Sequence, residues 1–261
     1  MKTIRVQMAN LLFAILFIAV STLFSNGIQA QESEKGFILS MTEFTVKRGH
    51  DIQFREGVKA WKACYLENKG EWTWSMWHRM NGEGNVYILS SRMANWAEMD
   101  ETNDDGKNCR DLVRNLINPH IESSENNFAR FEPENSKTAP NSDPVLWVTS
   151  WQVKSSTKFK EIIKQLSDAI KQAEGSPRGY WYSLMGGNKD VPDFFVSTPF
   201  ANFAALDLDR DNVWTIYENA NGKEKREQLQ AEYREAVKEV WSYLYKRDEE
   251  MSHNPPALSN K

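Results

Sequence analysis

The sequence predicts an α+β protein made of two copies of one unit, each an antiparallel sheet with helices on one face, the bare sheet faces packed together inside a single chain. Three observations predict it. Leu39, Thr42, Val46 and Lys47 recur as Leu146, Thr149, Val153 and Lys154, an offset of 107. Ser90, Ala94, Asn95, Ala97 and Asp100 return as Ser197, Ala201, Asn202, Ala204 and Asp207 at the same offset. Between these blocks Trp72, Trp74, Ser75 and Met76 meet Tyr180, Tyr182, Ser183 and Leu184 at an offset of 108, so the hairpin they belong to is expected to differ by one residue. Two fused copies do together what a homodimer does, each covering the apolar surface that the other cannot bury alone.

Residues 1–30 read as an export signal. Lys2 and Arg5 form a short basic start, Leu11 to Phe24 is apolar, and Ala30 is a small residue suited to cleavage. The apolar run is short for a bilayer span; a retained anchor is the alternative reading. Loss of Lys2 and Arg5 takes the formal charge from -4 to -6, mildly acidic and without a basic tract, so nucleic acid is not an expected partner. The expectation is a periplasmic or secreted protein, free of the membrane after cleavage and acting as a monomeric internal pseudo-dimer. Only Cys64 and Cys109 are present. In an oxidising compartment they either close a disulfide, since one falls near the end of a predicted helix and the other near the start of the next, or remain two buried thiols.

The first unit is expected over 31–136 and the second over 137–252, with a flexible tail at 253–261. Residues 37–47 and 144–154 read as strands with both faces partly apolar. Phe54, Val58, Trp61 and Tyr65 then form the stripe of a helix that Gly70 ends, and Phe159, Ile162, Ile163, Leu166 and Ile170 form its echo, stopped by Gly175. A hairpin follows in each unit, turning at Asn81-Gly82 in the first and at Gly186-Gly187 in the second. The next helix carries Cys109, Leu112, Val113, Leu116 and Ile117, and in the second unit Leu229, Tyr233, Val237 and Val240. A fourth strand is predicted at 128–132; at 241–246 helical and extended readings compete. Residues 133–143, rich in proline, asparagine and serine, read as the linker.

Strand, helix, strand, strand, helix, strand is the ferredoxin-like order. With the duplication and the Trp72-Thr73-Trp74 and Asn95-Trp96-Ala97 segments, the chain resembles a tandem member of the dimeric α+β barrel superfamily, which includes antibiotic-biosynthesis monooxygenases, stress-responsive A/B barrel proteins and chlorite-dismutase-like heme proteins. The resemblance implies an intramolecular barrel and no particular activity, because no catalytic signature accompanies it. The heme branch uses a histidine in its second half, where this chain has only His253, so no cofactor is expected.

Trp72, Trp74, Met76 and His78 alternate along one strand face, with Tyr180 and Tyr182 in the matching places of the second unit. Facing the barrel or the groove under the helices, they make an apolar, π-rich wall for a flat ligand; the competing reading is that these rings fill the core. His78 is the candidate acid-base residue. Arg79 and Arg92 are candidates for an anionic ligand group, and His50 and His120 sit near helix ends, where capping is the expected role. Asp207, Asp209, Asp211 and Glu218 have EF-hand-like spacing and form a weak calcium candidate, although acidic residues ahead of a helix commonly serve its positive end. Hydrolase, kinase and dinucleotide signatures are missing from the sequence. Three readings remain: an exported protein binding a small apolar or aromatic molecule, a cofactor-independent monooxygenase-like enzyme, or an interaction module with a filled barrel.

Overall fold

The computed structural model describes residues 36–101, 106–138 and 142–253. The expected leader at 1–30 lies outside them, as does most of the expected tail. Eight strands form the wall: β1 (Ile38–Val46), β2 (Trp74–Arg79), β3 (Asn85–Met93), β4 (Ile121–Phe131), β5 (Val145–Val153), β6 (Tyr180–Leu184), β7 (Phe194–Phe200) and β8 (Val237–His253). They close into one barrel in the order β1-β3-β2-β8-β5-β7-β6-β4, with every pairing antiparallel. One half of the wall thus reads β4-β1-β3-β2 and the other β8-β5-β7-β6. The seams are β2 with β8 and β4 with β6, so β4 and β8 each pair in both halves. Closure leaves no exposed sheet edge.

Helices cover the outer face. α1 (Asp51–Glu67) sets Phe54 and Val58 against Val46, Met76, Tyr87 and Met251. α2 (Ser156–Glu174) sets Phe159 and Ile163 against Trp151 and Phe194 on the other half. Its start is capped by the Ser155 side chain, which accepts from the Lys158 amide, and its end is turned by Gly175 at φ 83°. α3 (Val213–Asn221) and α4 (Lys223–Ala236) add a further layer, in which Ile216, Tyr217 and Leu229 bury the second apolar side of α2 through Ile162, Leu166 and Ile170. On the first half that place is taken by an irregular helical run over 107–120, including a π turn at Val113–Ile117. Gly57 lets this run approach α1 closely: a β-carbon there would stand 2.2 Å from the Leu116 carbonyl oxygen. Cys64 and Cys109 tie α1 to the run by a disulfide.

Several local expectations are corrected. Val237 and Val240 belong to β8 and not to a helix. The helical stripe of Leu229 and Tyr233 ends at Ala236, after which the chain enters the sheet. His253 closes β8 instead of opening the tail. The linker contains a helical turn at Pro133–Asn135, and the Ser136 hydroxyl donates to the Glu132 carbonyl and accepts from the Trp181 amide.

The most consequential correction concerns the hairpin. Ser75 pairs with Ser90 and Trp77 with Ile88, whereas Tyr180 pairs with Ser197 and Tyr182 with Phe195. Relative to the equivalent serines, Tyr180 stands where Ser75 does and Tyr182 where Trp77 does. The strands therefore correspond at an offset of 105, not 108. A change by an odd number of residues turns every side chain to the opposite face.

Candidate functional site

The wall encloses a cavity of about 670 Å³ in the barrel lumen, lined from all eight strands. Inward positions follow the two-residue period: Leu39, Met41 and Glu43 on β1; Trp77 on β2; Ile88 and Ser90 on β3; Asn127 on β4; Leu146 and Val148 on β5; Tyr180, Tyr182 and Leu184 on β6; Phe195 and Ser197 on β7; Trp241, Tyr243 and Tyr245 on β8. A barrel filled by its own rings is at odds with this space, which is in the range of small-molecule sites.

Ring geometry fixes the walls. Tyr182 stacks on Phe195 at 4.7 Å, Tyr243 meets Tyr245 edge-on at 6.5 Å, and the Trp77 indole donates to the Ser90 hydroxyl at 3.0 Å. Burial pushes the Tyr182 hydroxyl up to about 12. Tyr245 is raised by burial and by the negative charge of Glu43. The Glu43 carboxyl lies above the ordinary carboxylate range through burial and through Glu125, with Arg79 opposing. The Arg79 guanidinium sits 4.5 Å over the Tyr243 ring, and one of its nitrogens donates to the Glu83 carbonyl. On β3 Arg92 covers the Phe37 ring at 4.6 Å, and on β8 Arg247 pairs with Glu249 at 2.7 Å.

The predicted site residues divide between the two faces. Tyr180 and Tyr182 line the lumen. Trp74 and Met76 are buried on the outer face. The Trp74 ring packs among Trp61, Tyr65, Trp72 and His253, and its indole donates to the Met251 carbonyl at 2.8 Å, although the residue also borders the cavity. His78 also points outward, stacked on Tyr87 at 4.5 Å, with Nε2 donating to the Asn85 Oδ1 at 2.9 Å. Asn85 and the Tyr87 hydroxyl both donate to Asp51 at the start of α1. Burial alone would raise the Asp51 carboxyl, but these two bonds, helped by Arg55, hold it below its ordinary value. His78 is thus a member of a helix-anchoring network, not of the lumen.

The acidic quartet is not assembled. Asp207 closes a short 3-10 turn, Glu218 accepts from Arg226 at 2.9 Å, and Asn212, not an aspartate, caps α3 by accepting from the Trp214 and Thr215 amides. Among the described residues no three metal-ligating side chains come together. His50 and His120 do not cap; their Nδ1 atoms face each other at 2.8 Å. Among the described residues no histidine or cysteine lines the lumen, so its residues do not fit a histidine-ligated heme. Sequence reasoning missed Glu43, Trp77 and the β8 tyrosines. Trp241, Tyr243, Tyr245 and Arg247 do alternate at period two, a strand signal that the helix reading of Val237 and Val240 obscured.

No protein-family model matches the chain, and no curated protein matches it. Among solved structures it is similar to an anthrone oxidase-like protein at 12% identity and TM-score 0.50, covering 83% of this chain and 93% of that one. It is also similar to chlorite dismutase from Candidatus Nitrospira defluvii, at 10% identity, TM-score 0.49 and the same two coverages, and to a heme-binding protein from Thermus thermophilus, at 10% identity and TM-score 0.47, covering 83% and 93%. At these identities the likeness is one of fold. The chain is a mixed α+β protein with a closed eight-stranded antiparallel barrel, a fold similar to that of the anthrone oxidase-like protein.

Proposed function

We propose that this is an exported small-molecule-binding protein, formed by internal duplication, whose barrel lumen holds a flat and largely apolar aromatic molecule. The observation that carries the reading is the cavity of about 670 Å³ with aromatic rings from β2, β6, β7 and β8 on its walls. Both halves supply those rings, which agrees with a fused pseudo-dimer. The Cys64–Cys109 bond suits an oxidising compartment and hence export. The test is to purify the protein from its native compartment and identify bound molecules by mass spectrometry. An aromatic ligand retained by the wild type and lost from Tyr182→Ala is the expected result. Ligand-free protein that takes up no member of an aromatic panel contradicts the reading.

A second reading, a cofactor-independent monooxygenase-like enzyme acting on an aromatic substrate, is favoured by one observation: a titratable carboxyl, Glu43, lies on the lumen wall. In that case His78 is not the residue handling the proton. Turnover of an activated aromatic substrate that is lost in Glu43→Gln and kept in His78→Ala would select it.

A further inference from the structure

Glu43 is the only carboxylate among the described residues lining the lumen. Its position runs against what a stable barrel wants. The residue directly across on β4 is Glu125, and like charges facing each other across a ladder are unfavourable. The carboxyl is half-buried, and its oxygens have no hydrogen-bond partner among the described residues. Leu or Met at this position would extend the apolar wall begun by Leu39 and Met41. Departures from local consistency of this kind concentrate where a site needs a particular group. A carboxylate facing open volume between aromatic rings asks for a hydrogen-bond donor from whatever fills that volume.

The surrounding charge narrows the donor. Arg79 stands near Glu43, while Arg92 and Arg247 also border the lumen, and of these arginines Arg247 alone has a carboxylate in an ion pair among the described residues. The neighbouring Arg79 guanidinium disfavours an ammonium at Glu43. An aromatic carboxylate directed at Glu43 would meet like charge. A neutral O–H on a flat ring system satisfies the acceptor without either penalty. We propose that Glu43 is the specificity-determining residue of the lumen, accepting a hydrogen bond from the phenolic or enolic hydroxyl of a flat aromatic ligand. This rests on the lumen being the binding site.

Three probes of one shape test it by isothermal titration: 2-naphthol, 2-methoxynaphthalene and 2-naphthylmethylammonium. The wild type should bind the naphthol about tenfold or more tightly than the methyl ether, the worth of a hydrogen bond to a charged acceptor, and the ammonium most weakly. Glu43→Leu should bind naphthol and ether alike, and Glu43→Gln, which keeps a carbonyl acceptor, should restore part of the preference. Thermal melts of all three proteins check that the barrel is intact. Equal affinity for naphthol and ether in the wild type, a preference that survives Glu43→Leu, or tightest binding of the ammonium overturns the assignment and leaves the lumen reading standing. If none of the probes binds, both fall.

Discussion

Strands β2 and β6 hold the same place in the two halves of the barrel and use their aromatic side chains in opposite ways. On β2, Trp74 and Met76 pack outward under α1, each 1% exposed, while Trp77 stands on the lumen wall. On β6, Tyr180 and Tyr182 face inward, and Trp181 packs outward against Trp151 and α2. The outer face is dry and close-packed, the inner face open. Aromatic content by itself therefore says little about function; the face on which a ring stands decides whether it supports stability or binding.

The largest effect that separates the two faces is expected at Trp74. Trp74→Ala should cost about 3–5 kcal/mol in chemical denaturation and leave probe affinity in the folded fraction unchanged; a loss of affinity with little loss of stability would move that ring to the functional side. Replacing both cysteines by serine opens a loop of 45 residues and should cost about 4 kcal/mol under oxidising conditions, again without touching the lumen. Asp51→Ala orphans the Asn85 and Tyr87 donors under α1 and should cost about 1–3 kcal/mol. Because the Asp51 carboxyl is depressed in the folded state, its contribution is present above its ordinary value of 3.8 and lost as pH falls through the folded value. The gap between wild type and variant should therefore narrow in strong acid, as read by melting temperature against pH.

Inner-face variants should show the reverse pattern. Trp77→Ala, with one side of its ring already against open space, should cost about 2 kcal/mol, less than Trp74→Ala, yet abolish binding of 2-naphthol. Glu43→Leu should stabilise slightly, by about 1 kcal/mol at neutral pH. Here the sign is opposite to Asp51: a carboxyl raised in the folded state penalises the fold once ionised, so wild-type stability declines as pH climbs from 4.5 through the raised value. The gain in the variant should vanish below that range, and a gain that persists in acid would mean the carboxyl is not the cause.

Much of the scaffold was legible in the sequence because it rests on local rules. The stripe from Phe159 to Ile170 and the stop at Gly175 are helical periodicity and backbone freedom, and both are realised in α2. The strands at 37–47 and 144–154 needed only runs of apolar and β-branched residues, and β1 and β5 occupy them almost to the residue. The site was less legible for a physical reason. Matching Trp72 and Trp74 to Tyr180 and Tyr182 rewarded aromatic identity, but ladder pairing responds to parity, and Ser75 and Trp77 are the residues at the matching ladder positions. Glu43 carries no signature at all: a lone glutamate in a strand reads as solvated until the barrel closes around it. At β8 the helix of Leu229 and Tyr233 runs into the strand without proline or glycine to mark the boundary, so Tyr243 and Tyr245 went unnoticed.

The most direct measurement is a crystal structure of the protein soaked with 2-naphthol. The naphthalene ring should lie between Trp77, Tyr182 and Phe195 with its hydroxyl oxygen within hydrogen-bond distance of a Glu43 carboxyl oxygen. A lumen closed by collapsed side chains, or a ring bound only outside the barrel, would contradict the account.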